Sequence, residues 1–158
     1  MTNPEFRFDE TPISPLMFIE ASAGTGKTYT LQRLVLRFIV EKSIPIESFL
    51  IVTYTEAATA ELSGRVREIL GRAVLGLSPG SESKLTEPER KEFKKLRDKW
   101  THDGITLEEA LDRVRRSLEE FDRCAIYTIH SFCRKMLESW AFSGGNPFEG
   151  EIGDDASV

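Results

Sequence analysis

"MFIEASAGTGKTYTLQRLVLRF", Met17 to Phe38, decides how this chain is read. A short apolar run leads into small residues, then Lys-Thr, then an amphipathic run. The spacing predicts a buried strand over Leu16 to Glu20 and a helix from about Lys27 to Glu41. Leu31, Leu34, Val35, Phe38 and Ile39 would form the helix's apolar stripe. Between the two, "ASAGTGKT", Ala21 to Thr28, fits a phosphate-binding loop with alanine in its first small position. Gly24 and Gly26 let backbone N–H groups curl around phosphate oxygens with no Cβ in the way. Lys27 would reach the β- and γ-phosphates as a point charge, and the Thr28 hydroxyl would ligate Mg²⁺. The helix that starts there aims its positive end at the same anion. A glycine-rich turn that merely precedes a lysine would need neither the strand before it nor the helix after it.

Residues 1–15 carry three prolines and no period, which reads as an irregular arm. "FLIVTY", Phe49 to Tyr54, is a second strand candidate rich in β-formers. Thr55 then opens a helix whose buried face is Leu62, Val66, Ile69 and Ala73, and "GLSPGSES" ends it. The stretch from Lys84 to Lys99 is mostly charged, with both signs mixed. "TEPE" at Thr86 reads as a capping box with proline in the first turn, and "TLEE" at Thr106 as a second box. Phe93, Leu96 and Trp100 mark one helix; Leu107, Leu111, Val114, Leu118 and Phe121 mark the next. "CAIYT", Cys124 to Thr128, is a third strand candidate. Phe132, Cys133, Met136, Leu137 and Trp140 give a last helix its apolar face. "SGGNPFEGEIGDDASV" is Gly-rich and acidic, an open tail.

Strands that alternate with helices imply an α/β fold with a parallel sheet. The organisation expected is an arm at 1–15, a first core segment at 16–76, a helical insertion at 77–120, a return to the core at 121–142 and a tail at 143–158. Three strands make only a partial parallel sheet, because such sheets want helices on both faces and more neighbours.

Composition narrows the classes. The chain has 158 residues, 40% hydrophobic and 30% charged, an ordinary globular balance. Its net charge is −5, from 21 basic and 26 acidic residues, which excludes a wholesale basic coat but not a local nucleic-acid groove. No apolar run approaches the roughly 20 residues that span a bilayer, so no membrane partner is expected. "MTNPEFRFDE" lacks a cationic start followed by an apolar stretch. The two cysteines, Cys124 and Cys133, form no disulfide framework, and a reducing cytoplasm is the expected compartment. His130 and Cys133 could suggest a metal pair, but only Cys124 and His102 remain as Cys/His partners, with no zinc spacing. Arg113, Arg115, Arg116 and Arg123 read as a solvated helix face.

Three segments together carry a family resemblance. "IEASAGTGKTYTL" resembles the first motif of superfamily 1 DNA helicases, "IVTYTEAATAEL" falls where their second motif does, and "YTIHSFCRKML" resembles their Thr-x-His-Ser segment. Most of the UvrD branch reads Thr-Asn-Lys-Ala-Ala after the second strand; here Glu56 and Ala57 replace Asn and Lys. That variant is similar to the helicase-nuclease members of the branch. The resemblance implies a RecA-like P-loop NTPase fold, domain 1A, with 77–120 as part of the helical 1B subdomain. It implies that Ala21, Ser22, Ala23, Gly24, Thr25, Gly26, Lys27 and Thr28 hold ATP and its Mg²⁺, with Lys27 and Thr28 as the catalytic members. It also implies that Tyr54, Thr55, Thr128, His130 and Ser131 contact DNA, Tyr54 by stacking on a base. The implied partners are single- and double-stranded DNA ends and the other subunits of a helicase-nuclease complex.

Several parts of a working motor do not occur. An NTPase of this class needs a carboxylate pair after a later apolar strand, and no such Asp-Glu follows an apolar run. No glutamine precedes Gln32, so the branch's upstream adenine-reading residue has no counterpart. A nuclease carboxylate cluster is also missing. These gaps suggest an N-terminal piece of a longer subunit. Two other readings remain open on the residues: a small P-loop kinase, with Glu56 and the arginines forced into base and lid roles, and a non-enzymatic nucleic-acid-binding module.

Overall fold

The computed structural model describes residues 7, 10–20 and 26–144. Among these residues five α-helices and two short strands form in the order α1 (Lys27–Lys42), β1 (Leu50–Thr53), α2 (Glu56–Leu77), α3 (Glu87–His102), α4 (Leu107–Glu119), β2 (Ala125–Thr128) and α5 (Ile129–Gly144). The fold is therefore rich in helix, with one small sheet. β1 and β2 pair in parallel, with Leu50 opposite Ala125 and Thr53 opposite Thr128.

The expected strand over Leu16 to Glu20 does not form. Residues 17–20 have no regular structure, and Leu16 and Phe18 are both 90% exposed. An apolar run becomes a strand only where another strand satisfies its backbone, and among the described residues β1 and β2 pair only with each other.

The core is a helical one. Leu36, Ile39 and Val40 of α1 meet Val66, Leu70 and Ala73 of α2; Phe93, Leu96 and Trp100 of α3 and Ala110 and Val114 of α4 complete the cluster. The excursion between the strands thus shares one core with α1 and α2. α2 and α3 approach closely because position 76 is glycine: a Cβ there would sit 2.6 Å from the Phe93 ring. Both predicted capping boxes start their helices. The Thr86 N–H and hydroxyl donate to Glu89, each at 2.7 Å, and Thr106 and Glu109 exchange hydrogen bonds in both directions.

Strand side chains alternate between faces. Ile51 and Ile126 pack on the helical core, while Leu50 and Val52 on the opposite face are exposed. The stripe expected to bury α5 is open too: Trp140 is 71% exposed, and Met136, Leu137 and Cys133 are exposed beside it. Period alone identified that helix; it could not supply the surface that would cover it.

Candidate functional site

The sequence points to two places, the start of α1 and the carboxyl ends of the strands. At the first, Gly26 has φ of +90°, a left-handed conformation that glycine adopts without strain. Its carbonyl accepts the Thr30 N–H at 2.9 Å, so the helix is wound from Lys27 onward. Lys27 is exposed and Thr28 half-buried. No acidic residue lies in the first turn of α1. Ala21, Ser22, Ala23, Gly24 and Thr25 lie outside the described residues. The donors in view suit a phosphate-bearing ligand, and the Thr28 hydroxyl oxygen is the atom of this turn that would hold its magnesium. Those donors are an ammonium, a hydroxyl and the first-turn N–H groups, with no carboxylate of that turn competing.

This turn is tied to α3. The Arg33 guanidinium grips Glu92 with two bonds, Nε to Oε1 at 2.5 Å and Nη2 to Oε2 at 2.7 Å. It also lies over the Tyr29 ring, 3.2 Å from the centroid. The Tyr29 hydroxyl donates to Glu92 Oε2 at 3.1 Å. Burial first, and then the Glu92 charge, hold the Tyr29 phenol above its ordinary pKa, so it remains a donor. Further along, Arg37 is 1% exposed and forks onto Glu41, while its Nη1 donates to the Thr11 carbonyl at 2.7 Å and so fastens the arm.

At the second place, parallel register brings Thr53 and Thr128 side by side, and each strand runs into a helix. Tyr54 follows β1 and is 79% exposed. Thr55 caps α2, its hydroxyl accepting the Ala58 N–H at 3.1 Å. Thr128 is 5% exposed and caps α5: it accepts the Ser131 N–H at 3.1 Å and donates to Ser131 Oγ at 2.9 Å. Ser131 Oγ in turn donates to Glu56 Oε1 at 3.3 Å. His130 is exposed on the first turn of α5.

Tyr54, Thr55, His130 and Ser131 therefore share one edge with accessible groups, while the Thr128 hydroxyl is buried and engaged in capping. A groove of 380 Å³ beside this edge includes Glu56, Ser63, Arg67, Asp122 and Cys124 in its lining. Arg67 there faces Asp122 at 3.3 Å, so the groove offers no uncompensated cation to an anion. Among the described residues no group of three His, Cys, Asp or Glu gathers as metal ligands, and no helix is long and apolar enough to cross a membrane.

Sequence reasoning missed the buried Arg33 and its Glu92 partner. Nothing local signals that pair, because 59 positions separate the two residues. It also gave no role to the Glu56–Ser131 contact. The signal for that one was visible, in the carboxylate that stands where the UvrD branch has asparagine.

Comparison with known proteins gives the class of domain. Residues 3–155 match the UvrD/REP helicase N-terminal domain, and the chain belongs to that family. Within it, the chain is similar to the RecBCD enzyme subunit RecB. It is 36% identical to the Haemophilus influenzae protein over 92% of this chain, 33% to that of Escherichia coli K12 over 93%, and 39% to that of Chlamydia trachomatis over 80%. The chain spans about 12% of the length of these curated relatives. Membership in a helicase family leaves the small-kinase reading without support.

Proposed function

We propose that this chain is the N-terminal, ATP-binding portion of a RecB-like DNA helicase and exonuclease subunit. In the whole protein it would couple ATP hydrolysis to movement along single-stranded DNA during double-strand break repair and recombination. Its fold would be the first part of a RecA-like P-loop domain, with partners that are DNA ends and RecC- and RecD-like subunits. The family match and the three motifs support this reading.

The observation that carries the nucleotide half is the start of α1, where a left-handed Gly26 leads into Lys27 and Thr28 with no acid in the turn. Magnesium-bound ATP supplies the phosphoanhydride whose hydrolysis drives such motors. Lys27 would bind phosphate oxygens, Thr28 would be the metal ligand, and Ala21 to Gly26 would wrap the phosphates with backbone N–H groups. Tyr54 would offer a stacking face to a base, and Thr55, His130 and Ser131 would meet backbone or bases. Thr128 would act through Ser131, which it positions. No carboxylate pair follows an apolar strand in this sequence, so the chain alone would bind nucleotide without turning it over. In calorimetry the protein binds Mg²⁺–ATP weakly, and Lys27→Ala removes most of that binding. Equal binding by the two proteins refutes the assignment.

A further inference from the structure

Tyr29, Arg33 and Glu92 form a latch between the first two turns of α1 and the middle of α3. A buried guanidinium is tolerated only when it is paired and its donors are used. Here Arg33 and Glu92 meet in the two-bond fork geometry, with side chains 8% and 11% exposed. The latch also reaches back toward Lys27 and Thr28. Tyr29 directly follows Thr28 and is held at three points: its ring lies under Arg33, its hydroxyl donates to Glu92, and its carbonyl accepts from Arg33 Nη1 at 3.4 Å. Lys27, Thr28 and Tyr29 belong to one helical turn, so fixing Tyr29 fixes the backbone that presents the other two.

Docking of α1 on α3 does not depend on this latch. Glu41 of α1 accepts from Trp100 Nε1 at 3.1 Å and pairs with Lys99 at 3.3 Å, about two turns beyond Arg33 along α1. The apolar core joins the same helices. What the latch adds is control over the end of α1 that precedes the core contacts. We propose that Glu92 is a positioning residue for nucleotide binding: through Tyr29 and Arg33 it holds the Lys27–Thr28 turn in place. Phosphate occupancy and the seating of α3 on α1 then form one coupled equilibrium. This rests on the nucleotide-binding reading above. Because coupling is reciprocal, nucleotide must also tighten α3 around Glu92.

The test uses Glu92→Gln, Tyr29→Phe and Lys27→Ala, with thermal melting, Mg²⁺–ATP calorimetry and amide hydrogen exchange. Glu92→Gln and Tyr29→Phe each weaken Mg²⁺–ATP binding by about fivefold or more. Saturating Mg²⁺–ATP slows exchange of the α3 amides near Glu92 in the parent protein, and that slowing is lost in Tyr29→Phe. A latch that only supports the fold would lower the melting temperature without moving either readout. If Lys27→Ala abolishes binding while both latch variants bind as the parent does, the inference is overturned and the nucleotide reading stands. If Lys27→Ala binds as the parent does, the nucleotide reading fails and takes this inference with it. Should Glu92→Gln lose its cooperative transition, Tyr29→Phe, which removes a single hydroxyl, decides the matter.

Discussion

Trp100, fully buried on α3, donates its indole N–H to Glu41 Oε1 on α1 at 3.1 Å. The same carboxylate takes the Arg37 fork and the Lys99 ammonium. One glutamate thus satisfies a buried indole and a buried guanidinium, and ties α1 to α3. Leaving either donor without its acceptor inside the protein is unfavourable.

Glu41 gives stability a pH dependence. Burial alone would raise its pKa, but hydrogen bonds from Arg37 and Trp100, with the charges of Arg37 and Lys99, outweigh burial and bring it below the ordinary 4.5. Its contribution is fully present above pH 4.5 and is lost as pH falls through the lower folded value. Glu41→Gln lowers the melting temperature near neutral pH, and the gap to the parent protein narrows as pH falls below 4.5. A gap that stays constant from pH 7 down through the acid range would show that the charge of Glu41 contributes nothing.

Gly76 sets the approach of α2 to α3. A methyl group there would press on the Phe93 ring, which is itself buried. In an exposed helix Gly→Ala stabilises. At Gly76 the substitution instead destabilises, by about 1–3 kcal/mol, as overpacking does. Gly64 has open space around it and serves as the control, since Gly64→Ala follows helix propensity. Equal effects at the two positions in urea denaturation would contradict the close packing.

Local chemistry made much of this fold legible. Thr55, Thr86 and Thr106 are capping residues that name their helices from sequence, and the parallel pairing of β1 with β2 follows from strands that alternate with helices. Three features were not legible because tertiary packing decides them, and a local pattern does not show it. Leu16 to Glu20 is apolar enough for a strand, yet strand formation is decided by a neighbour, and none is paired there. Arg33 and Arg37 sit on a helix that reads as amphipathic, yet their burial depends on Glu92, Glu41 and the Thr11 carbonyl. Thr128 reads as a ligand-facing threonine from its motif, but it is buried and its hydroxyl caps α5 by accepting the Ser131 N–H.

In the function proposed here, the carboxyl edge of the β1–β2 pair meets single-stranded DNA. Fluorescence anisotropy of a short labelled oligonucleotide at low salt tests it most directly. Binding is expected to be weak and salt-sensitive, since phosphate contacts release counterions. Tyr54→Ala weakens it by about 1–3 kcal/mol with little preference among base sequences, the range for one stacked base. Arg115, exposed on α4 and 3.5 Å from the Ser78 hydroxyl, lies outside the proposed edge, and Arg115→Ala leaves binding nearly unchanged. Binding that survives Tyr54→Ala and is abolished by Arg115→Ala would put the DNA track on the helical excursion, away from the strand ends.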